Sequence, residues 1–434
     1  MEPARLSDLT AVHRALAAPA EWLGGPGARG FSVASEDFLK KIQKEKPILP
    51  IVVAQKEPAA YLAGVLSAVE QMLPVVLANP YWGEVERAQA ATQIEPGLWF
   101  GKNTNPWPRV KPEEAFNPKK WSGTILIPTG GSGGRVRWAV QQWSALAAAA
   151  HALADFLEAE GCIHVSSLPP WHVSGLMPAV RAIETGGKLW LIKWKSLENG
   201  VTPKVEPERA IVSFVPTQLQ RLLPQKKLVG WLKNTRAILL GGAAPPAGLL
   251  DEARRLRLPI TLAYGMTETA AVVALQHPKD FLAGKPVYAT PLPHAKISLG
   301  KNGRIFIRAK SLFAGYYPVA RKPGIFATED FGKMDGRGSI APLGRLDRVI
   351  NTGGEKVNPA NVENQIRATG LVKNVRVVGL PDAEWGEKVV AIYTGGKIPE
   401  AKLRKALKRR VARHAIPKMW LQVKVLPPAA KKIL

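Results

Sequence analysis

Cysteine is almost absent from this sequence: Cys162 is the only one in 434 residues. A single thiol forms no internal disulfide and no cysteine-built zinc site, so neither staple is available to the fold. With Gly161 and Ile163 beside it, Cys162 reads as a small buried side chain next to a strand rather than a nucleophile. Long apolar runs are missing too. The alanine-rich stretch 145–157 carries His151 and Asp155 and falls short of the ~20 residues that span a bilayer. The opening residues, Met1-Glu2-Pro3-Ala4-Arg5, lack the apolar core of a secretory signal. The expectation is a soluble, cytoplasmic protein with no transmembrane segment. Acidic residues are scarce: 34 Asp and Glu stand against 60 Lys and Arg, for a net charge of +26. Such a surplus draws nucleic acid, an acidic membrane surface or a phosphorylated small molecule. It does not choose between them, and a generally basic surface explains it equally.

What is present is an ordinary globular composition, 46% hydrophobic and 22% charged, in a chain long enough for two or three domains. Residues 1–120 read poorly. Ala59 to Leu77 has helical apolar spacing, Ile48 to Val53 resembles a short buried strand, and Asn103 to Pro118 is loop-like. From Thr124 the pattern sharpens. The segments at 124–128, 164–168, 188–192, 211–215 and 236–240 are strand-like. Helical patterns lie between them at 144–160, with Ser144 as N-cap, at 217–223 and, after the last strand, at 247–256. Strands alternating with helices predict an α/β fold with mostly parallel sheets. After Arg345 a second unit begins. It has a glycine turn over 350–356, helices at 359–369 and 399–414, and strands at 375–380 and 388–393, a small α+β domain of roughly 90 residues. The expected division is 1–344 and 345–434.

Four blocks carry chemistry. Thr129-Gly130-Gly131-Ser132-Gly133-Gly134 is followed by Arg137. Glycines let a backbone wrap closely around an anion, and the hydroxyls and the guanidinium add donors. The run is no Walker A loop, because the Gly-Lys-Ser/Thr ending is absent and a strand follows. Tyr264-Gly265-Met266-Thr267-Glu268-Thr269 combines a ring that can stack on a purine with a carboxylate that can hold Mg²⁺. Thr328-Glu329-Asp330 offers a carboxylate to ribose hydroxyls. The fourth block runs from Gly344-Arg345-Leu346-Asp347 to Gly353-Gly354-Glu355-Lys356-Val357.

In this order the blocks closely resemble the adenylate-forming, or AMP-binding, superfamily. The first is similar to its Thr-Ser-Gly-Thr-Thr-Gly-x-Pro-Lys phosphate loop and the second to Tyr-Gly-x-Thr-Glu. The third is similar to Thr-Gly-Asp and the fourth to Gly-Arg-x-Asp with a Gly-Gly-Glu-Lys-Val turn. Pro170-Trp171-His172-Val173-Ser174-Gly175 resembles the aromatic-His block, Gly241-Gly242-Ala243 the adenine-side loop, and Lys431-Lys432-Ile433-Leu434 the Gly-Lys-Ile-Leu ending. The likeness runs from about residue 120 to the last. Gly130, Arg137, Glu329 and Lys431 depart from the family's Ser, Lys, Gly and Gly. Within the superfamily the compact length, the His-Val-Ser-Gly-Leu block and the Pro-Thr-Gly-Gly-Ser loop look most like 2-succinylbenzoate–CoA ligases of cyanobacterial type.

The resemblance implies a large N-terminal domain, a small mobile C-terminal domain, and the reaction of a carboxylic acid with ATP, Mg²⁺ and coenzyme A. An acyl-adenylate forms first and a CoA thioester second, with 2-succinylbenzoate as the acid and menaquinone or phylloquinone biosynthesis as the setting. By the same likeness Thr129–Gly134 hold phosphates, with Arg137 as an added charge, and Glu268 holds Mg²⁺. Tyr264 and Gly242 flank adenine, Gly241, Ala243 and Gly265 belong to the same nucleotide-binding loops, the Thr267 hydroxyl can touch phosphate, and Asp330 and Arg345 bind ribose. Lys432 meets the reacting carboxylate and His172 lines the acyl pocket. Asp347 is the hinge, and Gly353, Gly354 and Lys356 approach the CoA arm. His172, Arg181 and Lys193 are the candidates to meet a second substrate carboxylate. The cations between 401 and 420 read as a solvated face, or as a basic amphipathic helix for a membrane or CoA phosphates. Small-molecule substrates, no nucleic acid and a homodimer are the expected partners. Another aryl- or fatty-acyl-CoA ligase, or a relative that binds nucleotide without turnover, stays an alternative.

Overall fold

The structure is a computed structural model that describes residues 9–101, 106–108, 110–130, 136–352, 355–382, 384–408 and 410–426. Two large sheets dominate it. One is ordered Leu23–Gly24, Lys188–Leu191, Ile163–Ser166, Ala210–Phe214, Ala237–Leu240, Ile260–Tyr264, Ala274–Leu275 and Thr290–Pro291. It is parallel as far as Ile260–Tyr264 and antiparallel beyond. The other is ordered Val319–Ala320, Gly315–Tyr316, Val136–Gln142, Thr124–Gly130, Val75–Leu77, Ile51–Val53 and Leu98–Phe100. Its last four strands are parallel and its first three join antiparallel.

Helices Pro58–Glu70, Trp143–Leu157 and Val173–Glu184 share one core with both sheets. Strand residues alternate between this core and an outer layer. Ile51, Val53, Ile125 and Ile127 belong to it, whereas Val52 and Leu126 pack outward with Trp107, Trp121 and Trp138. A strand covered on both faces has no polar side, which is why these segments read as unbroken apolar runs. Helices Pro216–Leu222, Lys226–Lys233 and Ala247–Arg255 cover the far face of the first sheet.

A four-stranded antiparallel sheet of Ala295–Leu299, Arg304–Ala309, Phe326–Met334 and Ile340–Arg345 follows. Then comes the small α+β unit. Strands Glu355–Val357, Ile350–Thr352, Gly386–Thr394 and Asn374–Asp382 are antiparallel, and Met419–Gln422 adds parallel to Gly386–Thr394. Helices Pro359–Arg367 and Glu400–Leu407 bury Val362, Ile366, Leu403 and Leu407 against it. Asn358 Nδ2 donates to the Leu343 carbonyl at 2.8 Å, tying this unit to the preceding sheet.

Three local expectations change. The helical spacing from Ala59 ends at Glu70, and Val75–Leu77 is a strand, because a short apolar run fits either period until its neighbours decide. The helix expected from Ser144 starts one residue earlier. Trp143, buried with its indole N–H donated to Glu184 at 2.6 Å, sets the start, and no side chain caps it. The helix expected over 399–414 stops at Leu407. Cations crowded at three- and four-residue spacing disfavour its continuation. Its apolar residues face the small core, which leaves no free amphipathic face.

Candidate functional site

The parallel strands Ala237–Leu240 and Ile260–Tyr264 are neighbours, so Gly241-Gly242-Ala243 and Tyr264-Gly265 leave one sheet at the same C-terminal edge. In open α/β sheets this is where ligands collect. Gly242 has φ +79°, a left-handed backbone suited to glycine. At Gly265 a Cβ would lie 1.5 Å from the Ala271 carbonyl oxygen, so no side chain fits. The Tyr264 hydroxyl crosses to the four-stranded sheet and donates to Asp330 Oδ2 at 3.1 Å. Asp330 pairs with Arg345 across two antiparallel strands, and Arg345 Nη1 reaches Asp330 Oδ1 at 3.4 Å. Burial, and then the Asp330 charge, hold the Tyr264 hydroxyl well above its ordinary pKa, so it remains a donor. Thr328 Oγ1 accepts the Asp330 N–H at 3.0 Å, where the pairing of strand Phe326–Met334 is irregular. Glu329 points away and pairs with Arg304 at 3.0 Å, so its departure from glycine leaves this contact intact.

The glycine-rich run opens from the tip of a hairpin. Thr124–Gly130 pairs antiparallel with Val136–Gln142, Thr129 opposite Arg137 and Gly130 opposite Val136. Gly131, Ser132, Gly133 and Gly134 lie outside the described residues. Gln141 Nε2 donates to the Thr267 carbonyl at 2.8 Å, and the Phe313 N–H to the Glu268 carbonyl at 2.9 Å. The Thr267–Thr269 turn is thereby bound to the hairpin. Glu268 is only 9% exposed. Its carboxylate accepts the Tyr316 hydroxyl, and the Arg137 guanidinium lies 4.4 Å from the centre of the Tyr316 ring. Burial first, and Glu268 next, raise the Tyr316 pKa well above its ordinary value. Sequence reasoning missed Tyr316, which stands on the two-residue strand Gly315–Tyr316 with no motif of its own.

The His172 side is separate. His172 is the N-cap of helix Val173–Glu184 and is solvent-exposed, with its ring 6.3 Å from that of Trp171; partial burial lowers its pKa. Lys193 is exposed at the start of Trp194–Glu198. Arg181, on the same helix as His172, is 4% exposed, and its Nε has no hydrogen-bond partner. Among the described residues no carboxylate pairs with it, and burial lowers its pKa to about 10. His164, 2% exposed on strand Ile163–Ser166, also has an unpartnered Nδ1. Burial, and then the Arg181 charge, lower its pKa to about 3, so it is neutral. Arg181 is thus a buried charge without a carboxylate partner among the described residues, a situation that carries a desolvation cost. Burial distinguishes Arg181 from the other two candidate cations, and nothing in the local sequence marks His164.

Gly353, Gly354 and Lys432 lie outside the described residues, as do the side chains of Asp347 and Lys356. The described residues therefore bring together Thr129, Arg137, Thr267 and Glu268 on one side and Tyr264, Asp330 and Arg345 on the other, with Tyr264-Gly265 bridging them. Among them no helix is long and apolar enough to cross a membrane.

Comparison with known proteins bears on this geometry. The family described as AMP-binding enzyme matches residues 42–317, and its C-terminal domain matches 361–431. The 2-succinylbenzoate–CoA ligase of Escherichia coli K12 is 31% identical over 328 residues, covering 73% of this chain and 68% of that protein. The enzyme of the same name from Oceanobacillus iheyensis is 29% identical over 62% of this chain and 59% of its own length. The chain thus spans about three-fifths of the length of several curated relatives that it matches. The structure of o-succinylbenzoate coenzyme A synthetase from Bacillus subtilis in complex with AMP superimposes with a TM-score of 0.81 at 21% identity, covering 98% of this chain and 96% of that one. The fold is the one those synthetases share, and with the family's own pattern covering most of the sequence, this chain belongs to the AMP-binding enzymes.

Proposed function

We propose that the chain is an acid–thiol ligase that activates 2-succinylbenzoate with ATP and passes the acyl group to coenzyme A. A carboxylate is a poor acyl donor because oxide would have to leave. Attack on the α-phosphorus of ATP expels pyrophosphate instead and leaves an acyl-adenylate, which a thiolate can open. Both attacking groups are anions, so the protein's work is positioning and charge stabilisation. In this reading Asp330, held by Tyr264 and Arg345, accepts ribose hydroxyls, and the loop Gly241–Ala243 flanks adenine. Thr129 and the run 130–134, with Arg137, meet the phosphates.

A hard cation fits beside Glu268. Mg²⁺ binds through one or two carboxylates and completes its shell with phosphate and water oxygens. Glu268 supplies one such carboxylate, and substrate oxygens would complete the shell. When bound, the ion neutralises charge on the phosphates. Lys432 is assigned to the reacting carboxylate. The small domain, 345–434, is assigned a rotation about Asp347 that brings Gly353, Gly354 and Lys356 to the CoA arm. A cytoplasmic setting and a role in menaquinone or phylloquinone synthesis follow from this substrate choice.

The observation that carries the choice of acid is Arg181, a buried guanidinium with no carboxylate partner among the described residues. In 2-succinylbenzoate one carboxylate reacts and the aromatic one stays charged, so the second needs such a partner. The test is CoA-dependent AMP release with 2-succinylbenzoate, benzoate and medium-chain fatty acids at matched concentration. We expect 2-succinylbenzoate to lead by at least about a hundredfold in kcat/KM, the scale expected when the wrong substrate leaves buried polar groups unpaired. A lead for fatty or simple aryl acids sinks the assignment of the acid but not adenylation. No AMP release with any acid leaves a nucleotide-binding relative without turnover.

A further inference from the structure

We propose that Tyr316 is a positioning residue that keeps Arg137 and Glu268 from neutralising each other, so that both stay available to a nucleotide and its metal; this rests on the site reading above. The geometry is that of a spacer. The ring presents its face to the Arg137 guanidinium at 4.4 Å, while its hydroxyl donates to the Glu268 carboxylate. A cation is attracted to a ring face and a carboxylate to a hydroxyl, so one side chain satisfies both charges without joining them. No ion pair links Arg137 to Glu268 among the described residues.

The ring cannot easily leave this position. Tyr316 pairs with Ala139 and Gly315 with Val140, on the strand that carries Arg137. Phe313 packs edge-on against the ring at 4.8 Å, and its N–H holds the Glu268 carbonyl. The other side of the Glu268 turn is held by Gln141 through Thr267. The three functional side chains therefore stand on elements fixed to each other by backbone hydrogen bonds. Were the ring absent, an exposed guanidinium and a largely buried carboxylate would face each other across the vacated space and pair. That would remove the carboxylate from a metal and the guanidinium from phosphate.

The experiment is a Mn²⁺ titration read by electron paramagnetic resonance, with the full chain and α,β-methylene-ATP. Tyr316→Leu is expected to weaken Mn²⁺ binding about tenfold, equivalent to ~1.4 kcal/mol. Tyr316→Phe, which keeps the spacer and loses only the hydroxyl, is expected to fall between wild type and Tyr316→Leu. The deciding comparison is Tyr316→Leu/Arg137→Met against Arg137→Met alone: with no cation left to capture Glu268, losing the ring is expected to cost little further Mn²⁺ affinity. A loss of about tenfold in that background as well overturns the proposal, as does unchanged Mn²⁺ affinity in Tyr316→Leu. A purely structural role for the ring predicts the same loss in both backgrounds. Pyrophosphate exchange by the wild type is measured alongside. Its absence with every acid sinks the adenylation reading, while the order of Mn²⁺ affinities still decides the role of Tyr316.

Discussion

Replacing Arg181 by Met should make the free protein more stable and the enzyme worse. Arg181 is 4% exposed, its Nε is unpartnered, and burial lowers its pKa to about 10, well below the ordinary guanidinium value. At 1.36 kcal/mol per pKa unit, the fold disfavours the charged guanidinium by about 3 kcal/mol. The sign follows from proton counting. The folded pKa is depressed, so below about pH 10 both states are charged and the full penalty applies. Above that, the folded state loses its proton first and stability rises with pH. At neutral pH the penalty is therefore at its maximum, and Met, similar in length and apolar, removes it. Relaxation and water entry reduce the gain to roughly a third to two-thirds of the figure, so about 1–2 kcal/mol is expected, a rise of about 1–4 °C in a domain as large as 1–344. The assay is thermal unfolding with and without 2-succinylbenzoate, together with AMP release. Wild type should gain stability from the acid and Arg181→Met should not, and the variant should lose its preference for the dicarboxylate over benzoate. A destabilised variant that keeps the dicarboxylate preference would refute both the unpaired-charge reading and the pocket assignment.

Three further outcomes are expected. Lys432→Ala should nearly abolish adenylate formation yet spare thioester formation from supplied 2-succinylbenzoyl adenylate; equal loss in both half-reactions contradicts its role. Asp347→Pro should slow CoA transfer more than pyrophosphate exchange, because proline fixes φ at the assigned hinge and restricts the preceding residue; unimpaired transfer removes the rotation account. Gly265→Ala should lower pyrophosphate exchange by about a hundredfold, the effect of displacing a site by ~1 Å, since its Cβ would meet the Ala271 carbonyl oxygen at 1.5 Å. Wild-type exchange in that variant would show that the turn carrying Glu268 tolerates a shift.

The side of the site proposed for the nucleotide was legible in the sequence because backbone geometry holds it. Gly265 admits no side chain, Gly242 has a left-handed φ, Tyr264 ends its strand and Asp330 follows a pairing irregularity inside strand Phe326–Met334, so each requirement is written into a short contiguous motif. That the first sheet is mostly parallel was legible from the alternation of strands and helices between Ile163 and Tyr264. The first 120 residues were not. Their strands are two or three residues long, too short to show a period, and the helical spacing was read through the break that Glu70-Gln71 and Pro74 make before Val75–Leu77. Tyr316 escaped because its role depends on meeting Arg137 and Glu268, residues 179 and 48 positions away, through sheet pairing alone.

The acid side follows a different rule. Arg181 and His164 lie on the inner face of a helix and on a strand buried between layers, where apolar residues would pack at least as well. Nothing about helix or strand formation calls for a charge there, so no local pattern announces it. A buried cation without a paired anion carries a cost that a bound carboxylate would lower, and the proposed choice of acid rests on this. On that proposal the residues that choose the acid are a separate set from the motifs assigned to the nucleotide, so an exchange at Arg181 would change which acid is accepted without touching those motifs.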